Sequence, residues 1–237
     1  MAHSLDSFWI DLARRKEAAI GALPVVKIQN GGHWPSWRYP WEGIEANSLW
    51  DSGGITLAAY GSLMNEASAA ATLAPRPART RQPALALGVQ RVYDYVMPTA
   101  ALRRYQVSPD GDERAALNAY VTGVRDDVIN ATLVSLTIED IPALRAREVD
   151  YDLTPVPVLP GANPAASVAF AYLLTAPGGG GAARRDESSR ANNLMPVRPY
   201  HALVCEACSR VSDAWLELFL ATTRLRNGQV VGPVLHP

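Results

Sequence analysis

The chain has 237 residues, of which 48% are hydrophobic and 19% charged, and its formal net charge is −1. This composition is typical of a folded globular protein, and a charge so near neutral gives no basic surface for nucleic acid. No apolar run approaches the roughly 20 residues that span a bilayer. The first residues lack the basic-then-apolar order of a signal peptide, and two cysteines argue against a disulfide-built secreted fold. We therefore expect a cytoplasmic protein that binds neither nucleic acid nor membrane.

The first 50 residues are predicted to form an arm beside the main domain, which would occupy residues 51–237. Residues 4–22 have the apolar spacing of an amphipathic helix. A tryptophan-rich segment at residues 30–41 is predicted to be irregular, and five of the six tryptophans lie in the first fifty residues. So much apolar area favours an arm that packs on the domain surface. A lid or a homodimer contact is the alternative.

A short strand that ends in a glycine turn, residues 55–63, organises the rest of the chain. Asn65 or Ser68 is the candidate N-cap of an alanine-rich helix over residues 67–73. A strand that passes through Gly61 into a helix start aims several free backbone N–H groups at one point. Such a point suits a carboxylate or a developing oxyanion, although a tight turn without a ligand explains the stretch equally well.

The remaining residues predict mostly strands, in a meander-like run. Strands are predicted at 84–93, 117–124, 129–136, 152–159 and 167–175, and helices at 137–149 and 199–224. Thr137 and Asp140 form an imperfect capping box, and the prolines of residues 152–159 indicate an edge strand. Residues 98–115 are polar with a turn signal, and residues 177–181 read as a glycine-rich connection. We predict an α+β domain, with a small mixed β-barrel flanked by helices.

Few side chains are candidates for chemistry. The four histidines show no metal-ligand spacing, and no nucleophile elbow is present. Cys205 and Cys208 lie inside a predicted helix and are interpreted as core-facing thiols. Glu148 stands between a predicted helix and a strand, where burial would raise its pKa and make it a proton acceptor near neutral pH. The alternative is a surface glutamate paired with Arg145 or Arg147.

Several stretches, in order, resemble the signatures of the γ-glutamylcyclotransferase-like superfamily. They are Tyr60-Gly61-Ser62-Leu63, then Leu144 to Tyr151, then Phe170 to Thr175, and finally residues 199–216, which resemble the superfamily's closing helix. Together they cover roughly residues 55–225, the core of the domain. The chain departs from the family pattern at Val149, where glycine is usual, and in its arm over residues 1–50.

The resemblance implies an amide-cleaving enzyme of the lyase or acyltransferase class that needs no cofactor and no metal. In the family reaction, the α-amine of a γ-glutamyl group attacks its own γ-carbonyl and releases 5-oxoproline and a free amine. The resemblance implies that Glu148 is the general base and that the hydroxyl of Tyr172 contacts the substrate or this carboxylate. The substrate-binding residues that it implies are Tyr60, Gly61, Ser62, Leu63 and Tyr200.

Two other functions stay open on the sequence. One is an amide or acyl hydrolase of the same fold, with water as the nucleophile and Glu148 as the base. The other is a binding protein that retains the pocket without turnover. Glu148 and Tyr172 together favour catalysis, because a binder has no need of a buried carboxylate. The leaving group would be selected by residues 30–50, 98–115 and 176–195.

Overall fold

The computed structural model describes residues 26–29, 35–38, 54–76, 79–122, 124, 126–148, 150–161, 169–176 and 194–235. Its strands are β1 (Val26–Gln29), β2 (Pro35–Arg38), β3 (Ile55–Ala59), β4 (Arg81–Leu87), β5 (Val89–Val96), β6 (Glu113–Val121), β7 (Val128–Leu136), β8 (Asp152–Pro160), β9 (Ala169–Thr175), β10 (Met195–Pro196) and β11 (Thr223–Leu225). Its helices are α1 (Glu66–Ala70), α2 (Thr99–Arg104), α3 (Ile141–Arg147), α4 (Arg198–Ser209), α5 (Asp213–Thr222) and α6 (Val231–Leu235). The helix predicted at 4–22 and the glycine-rich connection lie outside the described residues.

Five strands close into a barrel in the order β3-β7-β4-β8-β9. β3 runs antiparallel to β7 and parallel to β9, so the barrel is mixed. Its side chains include Leu57, Ala86, Val156 and Leu173, each with no exposed surface, as expected of a small barrel filled by its own residues. The predicted α+β fold with a small mixed barrel is confirmed.

A second sheet, in the order β10-β6-β5-β11, is joined to the barrel by Gly88. The sequence predicts one strand over residues 84–93, and this is wrong. Gly88 has φ +67°, a left-handed conformation that favours glycine. The chain therefore turns between β4 in the barrel and β5 in the second sheet. A run of apolar residues on both sides of one glycine concealed this change of sheet.

Local polar bonds decide where the helices begin. Asn65 caps α1 by accepting a bond from the Ser68 backbone N–H at 3.1 Å, and the capping box of Thr137 and Asp140 is present, as predicted. The single helix predicted at 199–224 is wrong, because Ser212 is extended and caps α5 separately.

Two other predictions miss an element. Helix α2 lies in the segment 98–115 that was predicted to be a polar connection, and β2 lies in the segment 30–41 that was predicted to be irregular. β2 pairs with β1 and runs beside β8. No helix in the described ranges is long and apolar enough to cross a bilayer.

Among the described residues, β8 pairs with strands on both sides only near its end. β9 pairs with it from Asp152 to Val158, whereas β4 pairs with it only from Val158 to Pro160. Pro155 and Pro157 precede the pairing with β4, so their missing N–H groups break no bond to that strand. The predicted edge strand is wrong for the end of β8, which closes the barrel between β9 and β4.

Candidate active site

A small pocket of about 40 Å³ lies where β3 ends, between the barrel and the second sheet. Each wall comes from a different element: the end of β3 and its turn, β6, the end of α3, the end of β9 and the first turn of α4. The lining residues are Ala59, Tyr60, Gly61, Ser62, Leu63, Leu117, Glu148, Tyr151, Leu174 and Tyr200. A volume of this size accommodates about three water-sized groups, so it suits the reacting end of a ligand.

The turn after β3 has free donors on one side and satisfied acceptors on the other. Ser62–Met64 form a single 3₁₀ turn, and Arg81 donates from Nη2 to the carbonyl oxygens of Leu63 and Met64 at 3.0 and 2.9 Å. Among the described residues, none accepts a hydrogen bond from the backbone N–H of Gly61, Ser62 or Leu63. These three N–H groups are available to an anion.

Gly61 stands at a point where no side chain fits. A Cβ at this position would lie 2.6 Å from the hydroxyl oxygen of Tyr200, and the next nearest atom would be 3.8 Å away. α4 thus brings the Tyr200 hydroxyl against the turn. Two residues that are 139 positions apart in the sequence are in direct contact, and glycine is required for that contact rather than for its backbone angle.

Glu148 ends α3, and its side chain is only 15% exposed. Its backbone N–H still bonds to Leu144, so the carboxylate is held at the last turn of the helix. Arg147 contacts it through Nε at 3.0 Å. Burial nevertheless raises the pKa of Glu148, because this one guanidinium contact offsets only part of the lost hydration. Both features expected from the sequence coexist: Glu148 pairs with Arg147 and also lines the pocket.

Arg147 connects this carboxylate to the turn and to α1. Nη1 donates to the Ser68 carbonyl and to the Thr72 hydroxyl at 2.8 and 2.6 Å. Nη2 donates to the hydroxyls of Ser62 and Ser68 at 2.8 and 2.9 Å. Since Nε contacts Glu148, each of the five N–H groups of the guanidinium has a partner. Arg147 therefore fixes Glu148 relative to the turn.

The tyrosines of the pocket form its rigid wall. Tyr60 donates to the carbonyl of Leu174 at 2.6 Å, and Tyr151 donates to the carbonyl of Leu117 at 2.8 Å. Burial raises the pKa of both hydroxyls well above the usual value. These two hydroxyls therefore stay protonated and engaged with the backbone, and Tyr60 takes a supporting position.

Tyr172 is the predicted site residue that the structure does not bring to the pocket. It lies opposite Leu57, three residues before the turn, in the parallel pairing of β3 with β9. Three residues of strand correspond to about 10 Å. Leu174, two positions further along β9, lines the pocket instead. Burial raises the pKa of Tyr172. Its catalytic role stays a prediction.

Four further lining residues were not among the predicted site residues, namely Ala59, Leu117, Tyr151 and Leu174. Tyr151 belongs to the stretch that contains Glu148, so its place in the motif was the available signal. Leu174 lies in the stretch from Phe170 to Thr175, and Ala59 directly precedes Tyr60, so their place in or beside a motif was again the available signal. Leu117 carries no signal in the sequence, because only the fold brings β6 beside the turn.

The two cysteines are buried free thiols on α4, and this interpretation from the sequence is confirmed. Burial raises the pKa of Cys205 to about 12 and that of Cys208 to about 11, which keeps both protonated and unreactive at neutral pH. Within the described ranges, no group of three or more histidine, cysteine, aspartate and glutamate side chains is placed to hold a metal ion.

No family model and no curated protein matches the sequence. Solved structures that are similar include the uncharacterised human protein loc79017, at 11% identity and a TM-score of 0.47, covering 71% of this chain and 87% of that one. YkqA from Bacillus subtilis is similar at 14% identity and a TM-score of 0.41, covering 72% of this chain and 54% of that one. At3g28950.1 from Arabidopsis thaliana is similar at 14% identity and a TM-score of 0.37, covering 66% of this chain and 78% of that one.

Proposed function

We propose that this protein is a γ-glutamylcyclotransferase-type enzyme that cleaves a γ-glutamyl amine or amide into 5-oxoproline and a free amine. One observation carries the proposal. A buried carboxylate with a raised pKa, Glu148, lines the same small pocket as a turn with three free backbone N–H groups. The motifs that resemble the γ-glutamylcyclotransferase-like superfamily supply these same two parts.

Glu148 is the base in the proposed reaction. The α-ammonium of the substrate gives a proton to the carboxylate, and the resulting amine attacks the γ-carbonyl carbon of the same glutamyl group. Because the nucleophile belongs to the substrate, ring closure benefits from a high effective molarity and needs no covalent residue. A base with a pKa above the usual value for glutamate accepts this proton more readily.

The turn stabilises the charge that develops. Attack places a negative charge on the γ-carbonyl oxygen, and the N–H groups of Gly61, Ser62 and Leu63 are the available donors. The tetrahedral intermediate collapses when the C–N bond to the leaving amine breaks. The leaving nitrogen takes the proton that Glu148 holds. The ring nitrogen still carries one hydrogen too many, and it passes this proton through the freed carboxylate to the amine, which departs as an ammonium ion. Glu148 is then ionised again, as at the start.

The aromatic walls limit the access of water to the reacting atoms. Tyr60, Tyr151 and Tyr200 are buried, and a dry pocket strengthens the interaction between the N–H donors and an oxyanion. The pocket holds only the reacting end of the substrate, so the leaving amine extends beyond it. The half-buried ring of Tyr105 stands edge-on to Tyr200, with ring centres 5.9 Å apart, at the side of the pocket. We expect the segment 98–115 to contact the leaving group there.

The test is a mass-spectrometric screen of the purified protein against γ-glutamyl amines, amino acids and peptides. We expect 5-oxoproline from at least one class, with a 10²- to 10⁴-fold loss of turnover in Glu148→Gln, the range for removal of a general base. Glu206→Gln on the exposed face of α4 is the matched control and should keep full activity. Free glutamate in place of 5-oxoproline would show a hydrolase. The proposal would be overturned if no compound of the panel were cleaved, or if the Glu148→Gln variant were active.

A further inference from the structure

Arg91 on β5 is completely buried and has no carboxylate partner in the described part of the chain. Its donors reach only neutral groups. Nε donates to the Thr223 hydroxyl at 2.8 Å, and Nη2 donates to the side-chain oxygen of Asn130 at 2.8 Å. The guanidinium also stands over the ring of Phe219, 4.2 Å from its centre. Burial lowers the pKa of Arg91 to about 10, so the group keeps its charge at neutral pH.

A buried charge in this position destabilises the fold. Removing an ion from water is costly, and no described residue gives Arg91 the opposite charge that usually offsets this cost. A hydrophobic side chain would fill the same space without that penalty. The placement of the charge therefore calls for an explanation beyond packing.

The charge lies directly behind the turn that lines the pocket. Nη1 of Arg91 is 3.4 Å from the carbonyl oxygen of Tyr60 and 3.0 Å from that of Asn130. The carbonyl of Tyr60 and the N–H of Gly61 belong to one peptide group, which is trans. In a trans peptide the two point in opposite directions. The N–H of Gly61 therefore points away from Arg91, and no described residue accepts its hydrogen bond.

We propose that Arg91 is a positioning residue that strengthens the anion site of the pocket. Its guanidinium polarises the Tyr60–Gly61 peptide and adds a fixed positive charge behind the turn, so the Gly61 N–H becomes a stronger donor to an oxyanion or carboxylate. A hydrogen bond to one end of a peptide strengthens the donor at the other end, and a charge acts more strongly at low dielectric. This inference deepens the proposed function, because the oxyanion of ring closure is the anion that benefits most.

The first experiment needs no turnover, so it separates this inference from the proposed reaction. Acetate is the probe, titrated into ¹⁵N-labelled protein while the Gly61 amide resonance is followed. We expect a saturable shift in the wild-type protein and at least fivefold weaker binding in Arg91→Gln, with binding retained in Arg91→Lys. Thr223→Val, which removes the Nε acceptor and leaves the charge, is the control and should bind like the wild type. No response of Gly61 to acetate, or equal binding in Arg91→Gln, would overturn the inference.

The second experiment uses whichever substrate the screen identifies. We expect kcat of Arg91→Gln to fall at least tenfold with KM changed less than threefold, since an oxyanion exists only in the transition state. Arg91→Lys should stay within threefold of the wild type. A folded Arg91→Gln with unchanged kcat would contradict the role. If Arg91→Gln does not fold, a tenfold loss of kcat in folded Arg91→Lys would contradict it as well, because that variant keeps the charge.

Discussion

The segment that contains α3 carries a carboxylate beside an arginine at each end, and the two pairs differ in nearly every respect. At its start, Asp140 is fully buried and accepts four hydrogen bonds: two from Arg79 and one each from the backbone N–H groups of Thr137 and Ala74. At its end, Glu148 has one described donor, Nε of Arg147. Burial acts on both, yet the bonds from Arg79 and the backbone lower the pKa of Asp140, while the pKa of Glu148 is raised.

The difference shows that an adjacent arginine does not by itself decide what a buried carboxylate does. Arg79 gives both Nη groups to Asp140, whereas Arg147 gives only Nε to Glu148 and directs its other donors to α1 and Ser62. Asp140 is therefore saturated and serves the fold. Glu148 keeps acceptor capacity and proton affinity, as a base requires.

The largest expected effect is a difference in the free energy of unfolding between variants of the two carboxylates. Asp140→Asn leaves Arg79 buried without its partner and should lower the free energy of unfolding by about 3–5 kcal/mol. Glu148→Gln should leave it unchanged or slightly higher at pH 7, because the ionised form of Glu148 is disfavoured in the fold. Chemical denaturation of both variants measures this. A destabilised Glu148→Gln with a stable Asp140→Asn would reverse the comparison.

The second effect concerns the pH dependence of activity. Glu148 must be ionised to act as a base, so kcat/KM should rise with pH, with an apparent pKa above that of an ordinary glutamate. Arg147 lowers the pKa of Glu148, and Arg147→Met should therefore move this acid limb to higher pH. Loss of its bonds to α1 and Ser62 should also reduce kcat/KM, by up to roughly 100-fold.

The control for that measurement is Arg210→Met, which breaks the exposed pair of Arg210 with Glu206 on α4. We expect no change in the pH profile of this variant. An acid limb that stays in place in Arg147→Met would show that the guanidinium does not act on Glu148.

A smaller effect tests the close contact at the pocket end. Gly61→Ala places a methyl group against the Tyr200 hydroxyl and should cost about 1–3 kcal/mol in kcat/KM or stability, the usual range for overpacking. Tyr200→Phe removes the clashing atom, because the next nearest atom is 3.8 Å away. The double variant should therefore recover most of the loss. Independent, additive effects in a double-mutant cycle would refute the contact.

The smallest effect is the acid sensitivity that Asp140 contributes. Its folded-state pKa lies below the unfolded value, so its stabilisation is present above the unfolded pKa, near 4, and is lost as pH falls through the folded pKa. Stability of the wild type should decline with acid, and Asp140→Asn should show a shallower decline. If the two proteins showed parallel curves of unfolding free energy against pH, the decline would be due to other carboxylates.

The sequence predicted the parts of the site that are local in the chain. Gly61 in its turn and Glu148 at the end of a helix are recognisable from neighbouring residues, and the Asn65 cap follows from short-range bonding. Arg91 could not be predicted, because its partners Tyr60, Asn130 and Thr223 are 31 to 132 positions away. In the sequence it is one charged residue within a strand. Only the packing of the two sheets shows that it is buried.

The same limit explains the errors in the fold. The apolar run around Gly88 has the pattern of one strand, and the sheet to which each half belongs depends on distant partners. The single helix predicted at 199–224 is two helices, because Ser212 caps the second one. The apolar periodicity on both sides of Ser212 concealed this short-range capping signal. Tyr172 was assigned by motif, and the register of β9 against β3 sets its distance from the turn.

The two prolines of β8 have a consequence for the protein in concentrated solution. A strand from a second molecule can add to a sheet where backbone N–H and C=O groups point outward. Pro155 and Pro157 have no N–H, and they lie in the part of β8 that precedes its pairing with β4. These two positions therefore offer an incoming strand no donor, which disfavours the addition of a strand from another molecule.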